Sequence, residues 1–93
     1  VIATPDGRVS INPTGNAGMA SGGTGDVLAG MLAGLLAQGL AVEDALKLGV
    51  FLHGFAGDLV ATERGQIGMI ASDIIEMLPQ ATRRLSEERL QTQ

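Results

Sequence analysis

Hydrophobic and polar positions divide the 93-residue chain into two extended segments, a glycine-rich stretch and three helical segments. Residues 1–4 and 8–11 are strand-like, and the turn between them contains Pro5 and Gly7. Proline favours the second turn position and glycine closes the turn, so this pattern predicts a β-hairpin. The stretch 12–25 is so rich in glycine that we expect irregular backbone there.

The first helix is predicted from about Asp26 to residue 37 or 38. Its residues are apolar on nearly all sides, so we expect it to be central and covered by other elements. Gly39 is the predicted C-terminal stop of this helix. A second helix is predicted to begin near Glu43 and Asp44, because acidic residues suit a helix N-terminus, and to end at about Thr62.

The second helix has apolar residues at helical spacing: Leu48, Phe51, Leu52, Phe55 and Leu59. After a predicted loop over 63–69, Ser72 or its neighbour should cap a third helix. The predicted apolar face of that helix contains Ile74, Ile75, Leu78, Ala81 and Leu85. Pro79 is expected to kink or break this helix. The tail from Leu90 is expected to fray.

The composition provides apolar material but little bulk. The hydrophobic fraction is 45%, yet the chain has 14 Gly, two Phe, no Trp and no Tyr. Small side chains bury little area, and burial contributes only about 25 cal/mol per Å². Two strands alone are also marginal in water. We therefore expect the chain to be a fragment of a larger domain, with the rest of the sheet supplied either by a missing N-terminal part or by a second chain.

Charge and cysteine content limit the possible partners. Six Lys and Arg oppose ten Asp and Glu, which argues against the clustered basic surface of a nucleic-acid-binding protein. The absence of Cys excludes disulfides and thiolate metal sites and is compatible with a cytoplasmic setting. The apolar run 27–37 is well short of the about 20 residues that a membrane span needs. We therefore expect neither a nucleic-acid nor a membrane partner.

The glycine-rich stretch contains the most informative residues. Gly22, Gly23 and Gly25 leave the backbone uncovered just before the first helix. Successive bare N–H groups, backed by the positive end of the helix dipole, form an anion pocket. A phosphate, or a phosphoryl group in transfer, is the anion that such a pocket suits.

Asp26 follows these glycines at the start of the helix, and two roles are open to it. It can act as a helix cap, a role that stabilises by about 0.5–2 kcal/mol. Beside an anion pocket it can instead accept the proton of a substrate hydroxyl while amides hold the phosphoryl charge. The two roles are compatible in one residue.

The stretch is not a Walker loop, because it contains no Gly-Lys-Ser/Thr and no Lys. Residues 16–30 are N-A-G-M-A-S-G-G-T-G-D-V-L-A-G, and this run resembles the signature of the ADP- or ATP-dependent NAD(P)H-hydrate dehydratases. Ribokinase-like kinases in general share only the Gly-x-Gly-Asp core, whereas the Asn-x-Gly-Met-Ala extension distinguishes the dehydratases. The resemblance extends over residues 1–85 through His53, Asp58 and the segment 68–79.

The resemblance implies a ribokinase-like three-layer α/β/α fold, of which this chain is the C-terminal part of a single domain. It implies an enzyme that phosphorylates the ring hydroxyl of hydrated NADH or NADPH from ADP or ATP, after which phosphate elimination restores the cofactor. Magnesium is the expected metal cofactor. The partners implied are the hydrate, the adenine nucleotide, the missing N-terminal part and further copies of the protein.

The resemblance also assigns roles to individual residues. Asp26 matches the catalytic aspartate, which contacts the hydrate and activates its hydroxyl. The remaining matches belong to the nucleotide and phosphate site: Asn16, Gly22, Gly23, Thr24 and Gly25. The segments that bind most of the nucleotide and the hydrate lie upstream in this family, so the isolated chain is expected to be inactive.

Two other functions stay open. The chain can belong to another ribokinase-like kinase, of the hydroxymethylpyrimidine or thiazole type, although the Asn16 block argues against it. It can also be a non-catalytic nucleotide-binding fragment. His53 is the only histidine, so a structural, packed role is favoured over metal binding, and no metal ligand is assigned. Asp58, on the same predicted helix, is interpreted as a cap-like polar residue.

Overall fold

The computed structural model describes residues 2–20 and 22–91. The predicted order of hairpin, glycine loop and three helices is confirmed. The elements are β1 (Ile2–Ala3), β2 (Val9–Ser10), a 3-10 turn (Ala17–Ala20), α1 (Thr24–Ala37), α2 (Val42–Arg64) and α3 (Ala71–Gln91). Val1, which the pattern assigns to the first strand, lies outside the described residues, as do the last two residues of the predicted frayed tail.

β1 and β2 form an antiparallel pair in which Ile2 lies opposite Ser10. The Gly7 N–H donates to the Thr4 carbonyl at 3.0 Å, and Gly7 has a φ of 88°. This is the three-residue hairpin loop in which a left-handed glycine follows a tight turn. The strands are shorter than predicted, and Ile11, 81% exposed, follows β2 without joining it.

α1 begins two residues earlier than predicted, because Gly23 is its N-cap, with a φ of 87°. At the other end, Leu40 N–H donates to the Leu35 carbonyl at 3.4 Å and Gly39 N–H donates to the Leu36 carbonyl at 3.0 Å. This pair of bonds, with Gly39 left-handed, is a Schellman motif. The predicted stop at Gly39 is therefore confirmed.

α2 is the central helix and packs against both α1 and α3. A Cβ on Gly49 would lie 2.5 Å from Leu32 Cδ2, so the glycine allows α1 to approach closely. By length and composition alone α2 is long and apolar enough to cross a membrane, but 44% of its apolar stretch is buried within the protein. Burial on two sides is what a core helix of a globular domain requires.

The main core lies between α2 and α3. Its buried members are Ala56, Leu59, Val60, Met69, Ile74, Met77 and Ala81. The prediction that Ile75 belongs to the apolar face is wrong, since Ile75 is 53% exposed. Met77 takes the inward position because it lies three residues from Ile74, whereas adjacent residues on a helix point about 100° apart.

The first turn of α3 is capped by Asp73, the neighbour of Ser72, which is one of the two possibilities that the sequence left open. The Asp73 carboxylate accepts the backbone N–H of Ile70 at 3.0 Å, which is one half of a capping box. Arg64 at the end of α2 lies 2.9 Å from Asp73 Oδ1 and joins the two helices. Pro79 lies inside α3 without ending it.

The expectation that α1 is covered by other elements is wrong for the part of the chain that the structure describes. One side of α1 packs on α2, whereas Ala29, Gly30, Ala33 and Gly34 are exposed. Of the α1 residues, Thr24 is the one that is buried. An apolar composition gives a helix the capacity to be buried, but a neighbouring element must be present to cover it.

Candidate active site at the N-terminus of the first helix

The glycine-rich stretch packs along α2 before α1 begins, and hydrogen bonds from short side chains hold it against α2. The Thr14 hydroxyl donates to the Phe51 carbonyl at 3.0 Å, and the Asn12 amide lies 3.5 Å from the Val50 carbonyl. A Cβ on Gly54 would lie 2.8 Å from the Thr14 carbonyl carbon. The missing side chain of Gly54 therefore permits this close approach.

Asp58, also on α2, makes the next hydrogen-bonded contact with this stretch. Its two carboxylate oxygens accept the Gly15 N–H at 3.0 Å and the Asn16 side-chain amide at 2.9 Å. Asn16 Oδ1 in turn accepts the Gly18 N–H at 3.0 Å and begins the 3-10 turn. The prediction of wholly irregular backbone over 12–25 is therefore wrong at this turn and at the first residues of α1.

On the side that faces α2, hydrogen bonds made by His53 and Thr24 hold the start of α1. His53 Nε2 donates to the Thr24 carbonyl at 2.9 Å, since a carbonyl can only accept. Thr24 is 8% exposed, and its hydroxyl donates to the Met19 carbonyl at 2.7 Å. The structural role predicted for His53 agrees with this contact.

The opposite side of the same helix start is open. Gly22, Gly23 and Gly25 are exposed, and no described atom from elsewhere in the chain lies within 4 Å of a Cβ built on Gly22 or Gly25. Packing within this chain thus does not require glycine at 22 or 25. What the missing side chains preserve is access to the backbone.

Backbone N–H groups are available at this open side. The first hydrogen bond of α1 runs from the Val27 N–H to the Gly23 carbonyl at 3.1 Å. The N–H groups of Gly25 and Asp26 precede that bond, and no acceptor for them is found in the part of the chain that the structure describes. N–H groups without an acceptor among the described residues, together with the positive end of a 14-residue helix, are suited to bind an anion.

Asp26 is exposed in the first turn of α1. No side-chain hydrogen bond caps this helix, so the capping role considered for Asp26 is not realised. Within the described residues, no hydrogen bond to its carboxylate is found. A carboxylate that is held at an anion site without an internal partner can accept a proton from a bound hydroxyl.

The structure places the predicted site residues in two groups. Gly22, Gly23, Gly25 and Asp26 surround the open helix start. The Asn16 amide and the Thr24 hydroxyl are engaged inside the loop, so a phosphate contact by Thr24 would use its backbone. The direct phosphate role predicted for Asn16 stays a prediction.

The residues that fasten the loop from α2 were not identified as functional from sequence. These are His53, Gly54, Gly57 and Asp58. One signal was present in the sequence: small or polar residues recur every three or four positions on one face of a helix that is otherwise apolar.

Two cavities of about 320 and 340 Å³ lie between the hairpin and α2, and none of the loop glycines lines either of them.

The hairpin, the three helices and the open glycine loop together correspond to part of the ribokinase-like dehydratase fold. The structure is similar to that of an ADP/ATP-dependent NAD(P)H-hydrate dehydratase from Bacillus subtilis co-crystallised with ATP and Mg²⁺, with a TM-score of 0.81 and 38% identity. The match covers 86% of this chain and 29% of that one.

Sequence comparison defines the family within this fold. The family profile for NAD(P)H-hydrate dehydratase matches residues 1–80, and the chain belongs to this family. It is 57% identical over 88 residues to a bifunctional NAD(P)H-hydrate repair enzyme from Moorella thermoacetica, covering 95% of this chain and 17% of that enzyme. It is 43% identical over 75 residues to an ADP-dependent (S)-NAD(P)H-hydrate dehydratase from Neisseria meningitidis, covering 80% of this chain and 25% of that enzyme.

Proposed function

We propose that this chain contributes the catalytic loop of an ADP- or ATP-dependent NAD(P)H-hydrate dehydratase. The observation that carries the proposal is the exposed Asp26 carboxylate beside an open, glycine-lined helix N-terminus. The chain spans 17% of the Moorella relative and 29% of the Bacillus structure, so the rest of the substrate sites would come from other parts of the domain. Family membership supports the substrate assignment.

In this mechanism the Asp26 carboxylate accepts a hydrogen bond from the ring hydroxyl of the hydrate. As the hydroxyl oxygen bonds to the terminal phosphorus of the nucleotide, its proton passes to Asp26 and the bridging P–O bond breaks. The N–H groups of Gly25 and Asp26 stabilise the phosphoryl oxygens during transfer. The phosphate group then leaves with the C–O bonding pair, and loss of a ring proton restores the double bond of NADH or NADPH.

The donor set fits a cation that is brought in with the nucleotide. The described residues contain no group of three or more His, Cys, Asp or Glu that could hold a metal ion. Magnesium commonly keeps several waters and binds through one or two carboxylates together with phosphate oxygens. When bound, Mg²⁺ would neutralise charge on the phosphates, and Asp26 is the exposed carboxylate nearest in sequence to the loop glycines.

The test follows the recovery of NADH absorbance from its hydrate in the longest natural protein that contains this chain. The mixtures contain Mg²⁺ and either ADP or ATP, which identifies the donor. Asp26→Asn should lower kcat by about 10²–10⁴-fold, the usual contribution of a general base, while leaving nucleotide binding intact. The isolated 93-residue chain should be inactive.

Other outcomes distinguish the remaining alternatives. Nucleotide consumption with a hydroxymethylpyrimidine or thiazole substrate, without recovery of NADH, would assign the protein to the vitamin kinases. Nucleotide binding with no turnover of any of these substrates would indicate a non-catalytic role. We further propose a cytoplasmic, homo-oligomeric enzyme, which size-exclusion chromatography with light scattering and fractionation of cells would test.

A further inference from the structure

Asp58 makes a long-range connection between α2 and the glycine-rich stretch. It lies 43 positions from Gly15, whose N–H it accepts at 3.0 Å, and its second oxygen accepts the Asn16 amide at 2.9 Å. Asn16 Oδ1 accepts the Gly18 N–H at 3.0 Å. We call these four residues, Gly15, Asn16, Gly18 and Asp58, the Asp58 clamp.

The clamp fixes a turn that has little rigidity of its own. Gly15 has a φ of 114°, a region that a side chain rarely permits, and nothing in the glycine itself selects that conformation. An ionised carboxylate that accepts two hydrogen bonds holds both donors more strongly than a neutral acceptor would. Asp58 therefore supplies the conformational restraint that Gly15 lacks.

The clamp is connected to the helix start by a short run of contacts. Met19 follows Gly18 and packs on α2 beside Gly57, where a Cβ would lie 2.7 Å from Met19 Cε. The Met19 carbonyl accepts the Thr24 hydroxyl at 2.7 Å, and Thr24 begins α1. The clamp and the open N–H groups are thus connected through one side chain and one hydrogen bond.

We propose that Asp58 is a positioning residue for phosphoryl transfer. It touches neither the substrate nor the nucleotide, and it acts by holding the turn at 15–18 so that Gly23, Gly25 and Asp26 stay aligned. This inference rests on the proposed function for its catalytic consequence. Its structural consequence, order in the loop, is independent of which reaction the enzyme performs.

The structural test uses a reciprocal exchange of side chains in the longest natural protein that contains this chain. Asp58→Asn places an amide donor against a donor, and Asn16→Asp places two carboxylates face to face. The double variant restores all three bonds. Its amide at position 58 donates to its carboxylate at position 16 and still accepts the Gly15 N–H, while that carboxylate also accepts the Gly18 N–H. Amide hydrogen exchange at Gly15 and Gly18, measured by NMR, reports on these bonds.

We expect each single variant to exchange about tenfold or more faster at Gly15 and Gly18, and the double variant to return within about threefold of the parent. If the two single effects instead multiply in the double variant, the side chains are not coupled and the clamp is refuted. Asp44→Asn removes an exposed carboxylate from the same helix, away from the loop, and should leave both rates unchanged.

The catalytic test uses the longest natural protein that contains this chain. Asp58→Asn should lower kcat by about 10- to 100-fold, as expected for the loss of a charge-assisted hydrogen bond, with a smaller change in the KM for nucleotide. Asp44→Asn should keep the parental kcat. A kcat within twofold of the parent for Asp58→Asn would overturn the positioning role. If the parent itself restores no NADH, the proposed function fails while the exchange measurement still decides the clamp.

Discussion

Gly25→Ala separates the stability of the chain from its ability to bind an anion. Gly25 is in the first turn of α1, its φ is outside the left-handed region, and no described atom from elsewhere in the chain lies within 4 Å of a Cβ built there. The added methyl group therefore meets no obstacle, and alanine loses less backbone entropy on folding than glycine. We expect a gain of about 0.4–1 kcal/mol in the free energy of unfolding.

The same methyl group would stand over the N–H groups that the site uses. If the methyl group keeps a phosphoryl oxygen from reaching one of these N–H donors, nucleotide-dependent kcat/KM should fall by about 10²-fold or more. The loss of a single hydrogen-bond donor to an oxyanion lowers the rate by that order. The variant should thus be more stable and much less active. An ordinary destabilising mutation would lower both properties.

Two measurements check this prediction. Thermal unfolding of the 93-residue chain should give a Tm about 2–8 °C above the parent, the range that this gain implies for a domain of this size. Gly34→Ala, at an equally open position on the same helix, should show a similar rise. Activity is measured in the longest natural protein that contains the chain. If Gly25→Ala kept kcat/KM within threefold of the parent, the open space above Gly25 would not be the anion site.

Two further predictions concern packing and charge. Gly54→Ala should lower the free energy of unfolding, measured in urea, by about 1–3 kcal/mol. The added Cβ would lie 2.8 Å from the Thr14 carbonyl carbon, and this backbone atom cannot move aside as the end of a side chain can. Gly57→Ala, which meets the flexible end of a methionine side chain, should cost less; an equal loss would contradict this. The pKa of Asp6 is lowered, and the largest cause is the hydrogen bond from the Thr4 hydroxyl. The ionised carboxylate therefore stabilises the hairpin at pH values above the pKa that Asp6 has in the unfolded chain. This stabilisation is lost as the pH falls through the lowered pKa of the folded state. Thr4→Val should raise the pKa of Asp6 toward its ordinary value in an NMR titration, and an unchanged pKa would refute the assignment.

The sequence by itself determined the elements that local chemistry controls. Pro5 and Gly7 predicted the hairpin, and Gly39 predicted the end of α1, because turns and helix ends depend on the φ values that single residues permit. The glycines before Asp26 predict an anion site for the same reason, and the binding itself stays a prediction. Bare backbone followed by a helix start is a local property and needs no distant partner.

Several details of the elements depended on neighbours that periodicity does not identify. Ser72 is a better helix cap than Ile70 by residue type, yet Asp73 performs the capping by reaching back to the Ile70 N–H. Ile75 and Met77 are both apolar, and only the position of α2 decides which of them is buried. Local preference is weak compared with packing, so it is overridden where the two disagree.

The fastening of the loop to α2 was decided by the tertiary structure alone. In the sequence, Asp58 looks like an ordinary surface residue of an amphipathic helix. Nothing in the pattern distinguishes Gly54 and Gly57 from the other small residues of that helix. Their roles arise because folding brings Thr14, Asn16 and Met19 against that helix, about 40 residues away in the chain. The sequence thus indicated which residues form the candidate site. The packing of α2 against the loop determined how that loop is held, since hydrogen bonds between distant residues exist only once the chain has folded.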